Sequence, residues 1–274
     1  MMAEIEKKWA ACIVYYQDQE SLSNLLDSLQ SQSLKPTAVF IADNNSNQSP
    51  VLGNFSFPVT ITKLTENKGF AAGANTAIRN ALKDDFESLM LLSQDVLLSS
   101  DSAKKLINQQ LITKGITFPT MMNRNTNKVF SKGGEVNKFW GSVTLSTNKP
   151  LYDPDWADGS CLVFSKEVFE KVNGLFEKFF MYFEDVDFCL RAKKSGFRIN
   201  HVDTLVSQTP KGPNPFLRSK NSVMLARRTG SILLKSSVTK RNLFGAGLLL
   251  ARFKPQEAAN RLKGIIQGWV AEIE

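Results

Sequence analysis

The sequence is poor in the residues that build zinc sites and nucleophilic triads. Its 274 residues include one histidine, His201, and three widely spaced cysteines, Cys12, Cys161 and Cys189, without a C-x-x-C pair. This composition argues against a zinc site and against a Cys/His or Ser/His nucleophile. Three isolated cysteines, an odd number, are typical of a protein from a reducing compartment in which each cysteine is a small core residue.

Long apolar runs are also lacking. Runs such as residues 89–92 and 248–251 fall far short of the roughly 18 residues that a membrane span requires. Charged residues at positions 4, 6, 7 and 8 precede the first apolar run, and no small-residue cleavage site follows it. We therefore expect a soluble, cytoplasmic chain without a secretion signal. The hydrophobic share of 42% and charged share of 22% are those of an ordinary globular protein.

The excess of positive charge lies in one segment. The net charge is +8, and residues 217–274 hold eleven Lys or Arg and only three Glu. The first 216 residues are balanced, with 23 basic and 23 acidic side chains. This distribution predicts a basic tail that touches an anionic surface, and it argues against a nucleic-acid-binding domain spread through the chain.

The basic tail also has a helical pattern. Pro255 suits a first helical turn, and apolar residues then recur at helical spacing at Leu262, Ile265, Ile266, Trp269 and Ile273. Two interpretations stay open. The helix packs on its own domain or on a second subunit of a homodimer, or it attaches to an anionic membrane leaflet.

Strand and helix patterns alternate through the first hundred residues. Strands are predicted at residues 10–16, 37–42, 59–64 and 88–92. One helix is predicted over residues 22–29, ended by Pro36, and a second over residues 70–81. This alternation predicts an α/β fold with a mostly parallel central sheet flanked by helices.

Two acidic residues follow predicted strands. Asp43 ends the second strand, and Asp95 follows the fourth. Ligands of parallel α/β sheets bind beyond the carboxyl ends of the strands, so both residues are candidates for a binding site. A turn or helix-cap role for Asp43 is the alternative.

The middle of the chain is less regular. We predict a helix near residues 102–111, a hairpin within 128–145, a strand over 156–164 and a short helix at 168–172. An acidic cluster at residues 184–187 begins another helix, which basic residues and Gly196 end. A linker is predicted at residues 211–215.

Two common nucleotide-binding fingerprints are missing. No G-x-G-x-x-G follows the first strand, and no G-x-x-x-x-G-K-[ST] occurs. These absences argue against a dinucleotide-dependent oxidoreductase and against P-loop phosphoryl transfer. A nucleotidyltransferase on a similar sheet is disfavoured as well, because the glycine-rich start that such enzymes use is missing.

An ordered series of short motifs resembles the inverting glycosyltransferases of family 2, which have the GT-A fold. The resemblance covers roughly residues 10–208, covers the tail from residue 217 poorly, and is closest to the bacterial branch that builds surface polysaccharides such as O-antigen, including rhamnosyltransferases. The motifs are CIVYY at 12–16, IADNNS at 41–46, ENKGFAAGAN at 66–75, LLSQD at 91–95, DGS at 158–160 and FMYFEDVDFCLR at 180–191.

The resemblance implies a domain division. Residues 1–210 would form the GT-A domain, with a nucleotide-binding half at 1–98 and an acceptor-binding half at 99–210. Residues 211–274 would be a basic, amphipathic helical tail.

On the donor side, the resemblance implies a nucleotide pocket and a metal ligand. The nucleotide residues would be Tyr15, Tyr16, Asp43, Asn67, Lys68, Gly69 and Gln94. Asp95 would bind Mg²⁺ or Mn²⁺, which neutralises the charge that develops on a leaving nucleoside diphosphate. Two residues depart from the family pattern: Ser93-Gln94-Asp95 offers one acid where members often have two, and Gln208 stands where many have a metal-binding histidine.

On the acceptor side, the resemblance implies that Asp185 is the catalytic base. Glu184 and Asp187 would raise its pKa, and Asp187 is the second candidate for the base. The alternative is that these acids only stabilise a helix N-terminus. Trp156, Asp158 and Gly159 are candidate acceptor contacts, although Trp156 could equally be a core residue.

The implied activity is transfer of a sugar from a TDP-, UDP- or GDP-linked donor to a saccharide or polyprenyl-linked glycan. The basic tail favours peripheral attachment at the inner face of the cell membrane. A non-catalytic nucleotide-sugar-binding or assembly subunit is the alternative, because one acid and the histidine of the family pattern are missing.

Overall fold

A nine-stranded mixed sheet forms the centre of the computed structural model, which describes residues 8–137, 139–209, 212, 214–230 and 232–273. In its N-terminal part all neighbours are parallel. β1 (Trp9–Tyr15) lies between β2 (Ala38–Asp43) and β4 (Ser88–Ser93), and β3 (Val59–Lys63) flanks β2. The predicted α/β fold is confirmed.

Helices cover both faces of this parallel part. Leu22, Leu25, Leu26 and Leu29 of α1 (Gln19–Gln30) share one core cluster with alternate β1 side chains such as Ala11 and Ile13. The other β1 side chains share a second cluster with the alanine-rich face of α2 (Gly69–Lys83). Burial on both faces explains why β1 is a continuous apolar run.

The remaining strands and helices complete the sheet. Their bounds are β5 (Val96–Leu98), α3 (Ser102–Thr113), β6 (Ile116–Asn123), β7 (Lys128–Ser131), β8 (Gly134–Asn137), β9 (Ser142–Leu145), β10 (Cys161–Ser165), α4 (Lys166–Lys171), α5 (Glu184–Lys194) and β11 (Ile199–Gln208). The strand order is β3-β2-β1-β4-β10-β6-β11-β5, with β7 beside β6 and β8–β9 as a separate hairpin.

Several predicted bounds were wrong. α1 ends at Gln30, well before Pro36, because the chain turns at Ser31. Within 128–145, β7 pairs with β6, and only β8 and β9 form a hairpin with each other. The predicted strand at 156–164 is β10, which begins at Cys161. The linker prediction falls partly on residues 211 and 213, which lie outside the described residues.

β6 has no counterpart among the predicted elements. It contains Pro119, which cannot donate a backbone hydrogen bond and is rare inside a sheet. The register of its partner β11 shifts between Val202 and Leu205, directly beside Pro119. The irregularity accommodates the missing donor.

Three helices form the tail: α6 (Pro215–Thr229), α7 (Ile232–Ala251) and α8 (Pro255–Val270). α8 begins at Pro255 as predicted and packs against α6 through glycines. A β-carbon on Gly264 would lie 2.4 Å from the Phe216 carbonyl oxygen, and one on Gly268 would lie 2.6 Å from that of Lys220. The backbones of the two helices are therefore in close contact.

The predicted apolar stripe of α8 is its packing face only in part, which is a correction: Ile265 and Ile273 of the stripe pack inward, and the rest does not. Ala258, Gly264, Ile265 and Gly268 are buried, whereas Leu262, Ile266 and Trp269 are exposed. The glycines let α6 pack closely on a side of α8 that the pattern of large apolar residues does not predict. None of the described helices combines the length and hydropathy needed to cross a membrane. The three cysteines are buried and unpaired, as predicted for core residues.

Candidate active site

The carboxyl end of β2 carries a buried acid with one unused oxygen. Asp43 is fully buried, and its Oδ1 accepts a hydrogen bond from the Ser46 amide at 2.8 Å. Its Oδ2 is buried and accepts nothing from the described part of the chain. A buried acceptor without a partner is costly, so this oxygen suits the N–H or O–H group of a ligand.

A paired contact joins the end of β1 to the turn after β4. The Tyr16 amide donates to Gln94 Oε1 at 2.6 Å, and Gln94 Nε2 donates back to the Tyr16 carbonyl at 3.1 Å. Tyr15 is buried beneath them, and its pKa is raised by burial and by the charge of Asp43. The pair fixes the half-exposed Tyr16 at the same sheet edge as Asp43.

The segment Asn67-Lys68-Gly69 lies against the loop after β2. Asn44 Oδ1 accepts from the Lys68 amide at 3.0 Å, and Asn44 Nδ2 donates to the Gly69 carbonyl at 3.1 Å. Gly69 has φ +85°, and a β-carbon there would lie 2.2 Å from the Phe180 carbonyl oxygen. Only glycine fits this approach. The structure thus brings the predicted nucleotide residues together.

Asp95 lies in the turn after β4 among polar partners. Its Oδ1 accepts from Ser93 Oγ at 2.9 Å and from Gln208 Nε2 at 3.0 Å. Arg124 Nη2 donates to the Asp95 carbonyl at 2.7 Å, and Arg124 Nε is buried without a partner among the described residues. Nothing in the spacing of Arg124 marks it in the sequence, so this residue was not predicted.

The residues around Asp95 suit a metal ion that is shared with a ligand. No group of three or more His, Cys, Asp or Glu side chains within the described ranges could hold an ion by itself. Mg²⁺ is commonly bound through one or two carboxylates together with substrate phosphates. One carboxylate beside an amide fits that arrangement, and His201 takes no part because its Nε2 lies 2.8 Å from Thr120 Oγ1.

The segment before β10 connects Asp95 to the acidic cluster. The Ser93 amide donates to the Ser160 carbonyl at 3.0 Å, which places residues 158–160 beside the end of β4. Asp158 Oδ1 accepts from the Ser160 amide at 3.0 Å. Burial raises the pKa of Asp158, and the charge of Asp95 adds to the increase.

Asp185 lies against this segment. Its Oδ2 accepts from the Gly159 amide at 3.0 Å, and its Oδ1 accepts from the Val186 amide at 2.8 Å. A β-carbon on Gly159 would lie 2.9 Å from that of Asp185, so the two residues are in close contact. Burial, and then the charge of Asp158, raises the pKa of Asp185 to about 7. A carboxylate of this pKa can accept a proton near neutral pH.

The neighbouring acids differ from Asp185. Burial and the charge of Asp185 raise the pKa of Glu184 well above its ordinary value. Asp187 is fully buried and lies between two arginines, with Arg191 Nε at 2.7 Å and Arg228 Nε at 2.9 Å. Both carboxylate oxygens of Asp187 are occupied by guanidinium groups, so the arrangement favours Asp185 over Asp187 as the base.

Trp156 is buried in the core cluster beneath β8. A β-carbon on Gly134 would lie 2.2 Å from the Trp156 indole nitrogen, so the ring fills the space below that glycine. This placement favours the core alternative over an acceptor contact.

The loop before α5 has an unusual backbone. Phe180, Tyr182 and Phe183 have φ of 61°, 72° and 72°, in the left-handed region. This conformation costs L-residues about 1–2 kcal/mol each. The Phe180 carbonyl accepts from the Phe70 amide at 2.6 Å, which ties the loop to the start of α2.

Sequence comparisons match this chain to known glycosyltransferases. Residues 10–173 match the profile of glycosyl transferase family 2, and residues 141–211 match that of the N-terminal domain of galactosyltransferase. The low-salt glycan biosynthesis hexosyltransferase Agl10 of Haloferax volcanii is 28% identical over 72% of this chain and 66% of its own length. The dTDP-rhamnosyl transferase RfbF of Shigella flexneri is 24% identical over 71% of this chain and 66% of its own length. The chain thus matches just under two thirds of each relative.

Solved structures share the fold. GalNAc-T7 with UDP, GalNAc and Mn²⁺ superposes with a TM-score of 0.68 at 13% identity, over 86% of this chain and 50% of that one. The mannosyltransferase PcManGT from Pyrobaculum calidifontis, in complex with GDP-Man and Mn²⁺, gives 0.60 at 14% identity, over 96% and 87%. The fold is therefore GT-A. Because the family profile covers more than half of its residues, the chain belongs to glycosyl transferase family 2.

Proposed function

We propose that the chain is an inverting glycosyltransferase that moves a sugar, rhamnose or another hexose, from a nucleoside-diphosphate donor to a saccharide acceptor in surface-glycan synthesis. One observation carries the proposal. The Asp185 carboxylate accepts a hydrogen bond from the Gly159 amide, and the neighbouring Ser160 carbonyl is bonded to the end of β4, just before the turn that contains Asp95. Relatives named as hexosyltransferase and rhamnosyl transferase support sugar transfer. Neighbours bound to UDP and GDP-Man support the donor class.

The donor's nucleoside would lie at the ends of β1 and β2. The unused Oδ2 of Asp43 would accept a hydrogen bond from the base or ribose. Gln94 fixes the Tyr16 backbone, and the Tyr16 ring would stack on the base, while the segment Asn67-Lys68-Gly69 would close the pocket. A UDP-, TDP- or GDP-linked sugar satisfies these contacts.

The donor's diphosphate would lie at the turn after β4. Asp95 would hold Mg²⁺ or Mn²⁺ together with the phosphate oxygens, and the ion neutralises charge on the leaving group when it is bound. Arg124 lies at the same turn and would add fixed positive charge there. Gln208 orients the Asp95 carboxylate through its hydrogen bond to Oδ1.

Transfer would be a single displacement. An acceptor hydroxyl oxygen attacks the anomeric carbon as the bond from that carbon to the diphosphate oxygen breaks, and the electron pair leaves with the diphosphate. Asp185 takes the hydroxyl proton in the same step. Attack opposite the leaving group inverts the configuration at the anomeric carbon.

The acceptor would be a saccharide carried on a polyprenyl lipid, with the protein at the inner face of the membrane. Exposed apolar residues of α7 and α8 support this, with Phe244 70% and Ile266 64% exposed. Phe139 and Trp140 are exposed as well, and Ser237 Oγ of α7 donates to the Phe139 carbonyl at 2.6 Å. Exposed apolar and aromatic groups beside the tail's excess of Lys and Arg suit an anionic bilayer surface.

Flotation with vesicles tests the membrane proposal. Wild-type protein should float with vesicles containing phosphatidylglycerol, and Phe244→Ser combined with Ile266→Ser should reduce the bound fraction several-fold. Val51→Ser, an exposed apolar residue in the loop between β2 and β3, is the control and should float like wild type. Equal flotation of both variants, or equal binding to uncharged phosphatidylcholine vesicles, would contradict the proposal.

Binding and turnover test the transferase proposal. We expect calorimetric binding of one of UDP, TDP or GDP that requires Mn²⁺ and is lost in Asp95→Ala. Asp185→Asn should keep this binding and lower the rate of donor hydrolysis or transfer by about 10³-fold. Binding with no turnover in the wild type would instead support the alternative, a nucleotide-sugar-binding assembly subunit, which the single carboxylate at residues 93–95 favours.

A further inference from the structure

Every carbonyl in the stretch from Phe179 to Tyr182 accepts a hydrogen bond from another element. The Phe180 carbonyl accepts from α2. The other three accept from one side chain, Asn221 of α6, whose Nδ2 lies 2.6 Å from the Phe179 oxygen, 2.7 Å from that of Met181 and 3.1 Å from that of Tyr182. A helix of the tail therefore holds the loop that leads into the acidic cluster.

This loop needs external support. Three of its aromatic residues are in the left-handed region, which non-glycine residues adopt only when the surrounding structure enforces it. Phe183 is the last residue before α5, and Asp185 is the second residue of that helix. The direction in which α5 begins sets the position of the Asp185 carboxylate against Gly159.

Asn221 is suited to this support. It is fully buried, and its two amide hydrogens are shared among three carbonyl oxygens. Its Oδ1 is buried and has no partner in the described ranges. The Phe179 carbonyl also accepts from the Met181 amide at 2.7 Å, whereas the donor described for the Met181 and Tyr182 carbonyls is Asn221. Neither an apolar residue nor a carboxylate could replace the amide as that donor.

We propose that Asn221 is a positioning residue for glycosyl transfer: its amide fixes the left-handed loop at residues 180–183 and thereby places Asp185 for proton abstraction. The inference rests on the proposed function. It assigns to α6 a role in catalysis that neither the family motifs nor the charge of the tail indicates.

The test compares two buried asparagines of the tail. Asn221→Ala should lower kcat by about 100-fold, because a small displacement of a catalytic group has an effect of that size. The KM of the donor and the Kd of the nucleoside diphosphate should stay within about threefold. Asn242→Ala on α7 is the matched control, because Asn242 is also buried but donates to Ser222 Oγ and the Val238 carbonyl, away from the loop. Its kcat should stay within about threefold of wild type.

Equal kcat values for the two variants, or a loss confined to the donor KM, would overturn the inference. If Asn221→Ala does not fold, Asn221→Ser keeps one donor and should give an intermediate kcat at normal nucleotide binding. Hydrogen exchange of residues 179–187 provides a readout that does not depend on turnover. Exchange should accelerate at least tenfold in the Asn221 variant and not in Asn242→Ala. If the wild type transfers no sugar, the proposed function fails, and this exchange result alone decides whether Asn221 fixes the loop.

Discussion

Helices α6 and α7 follow each other in the basic tail, and the charged side chains of both are all Lys or Arg, yet the two helices have different surroundings. α6 buries Ser219 and every residue from 221 to 226, and its Asn221 holds the loop before Asp185. α7 is longer but buries only Leu234, Val238, Asn242 and Ala246, and it exposes Leu243, Phe244 and Leu248. The net charge of a segment therefore does not reveal that one part holds the loop before α5 and another part faces outward.

A second contact of α6 strengthens this contrast. Arg228 lies two turns after Asn221 and pairs with the buried Asp187 of α5 at 2.9 Å. Its guanidinium also lies 3.5 Å from the centre of the Phe176 ring, and its Nη1 donates to the Ile273 carbonyl at 2.7 Å. Arg228 therefore connects α5, α6 and the residues after α8. Removing α8 would disturb the active site, so point variants test the tail more cleanly than truncation.

The largest difference between the two helices should come from their cations. Arg228→Ala leaves the buried Asp187 with Arg191 alone, and breaking a buried ion pair costs about 3 kcal/mol or more. Lys240→Ala, on the exposed side of α7, should change the free energy of unfolding by less than about 0.5 kcal/mol. Urea unfolding measures both values. Similar losses would remove the contrast.

Next in size is the effect of the proposed base, Asp185, on stability. The pKa of Asp185 is about 7 in the folded chain against an ordinary value of 3.8, so ionisation opposes folding. This acid therefore lowers stability as pH rises from about 4 to about 7. Asp185→Asn should have a higher Tm than wild type at pH 8, with the difference fading toward pH 4. Asp27→Asn, at an exposed acid of α1, is the control, and an unchanged or lower Tm at pH 8 for Asp185→Asn would contradict the prediction.

A smaller change should appear in the pH dependence of kcat. Because a base must be ionised, kcat should rise with pH through about 7 and then level off. The charge of Asp158 helps to raise the pKa of Asp185, so Asp158→Asn should move this rise to lower pH. Asp153→Asn, at an acid whose side chain is mostly exposed, should leave the rise in place. A rise that does not move in Asp158→Asn would show that another group controls the rate.

The smallest effect is expected on the outer face of α7. Phe244→Ser removes an exposed ring, so the free energy of unfolding should change by less than about 0.5 kcal/mol. Its kcat with a soluble saccharide acceptor should equal that of wild type. A loss of kcat comparable to that of Asn221→Ala would show that α7 supports activity as α6 does, and it would contradict the contrast between the two helices.

The sequence was sufficient for the elements that depend on local patterns. The order of strands and helices through β4 follows from apolar periodicity, and Asp43 and Asp95 follow from the rule for strand ends. The placement of Asp185 required the family resemblance, because an acidic helix start is common. The predicted boundary at residue 210 stays a prediction, and the contacts of α6 favour grouping that helix with the catalytic part.

Other features depend on contacts between distant segments. No glycine marks the left-handed loop at residues 180–183, because its conformation is enforced by α2 and α6. The packing face of α8 was predicted only in part because Gly264 and Gly268 allow close contact with the α6 backbone but add no hydrophobic side chain to the pattern. Arg124 depends on the pairing of β6 with β11, which brings its amide to the Gln208 carbonyl at 2.8 Å. None of these signals is periodic.

The left-handed loop at residues 180–183 and Asn221, which holds it, are far apart along the chain, and this separation has a consequence for recombination between family members. A crossover anywhere from residue 184 to residue 220 would join the loop of one parent to the supporting helix of another. A crossover after residue 230 would inherit loop and support together. Chimeras with the later junction should therefore retain turnover more often, even though the earlier junctions lie closer to the end of the recognisable family motifs.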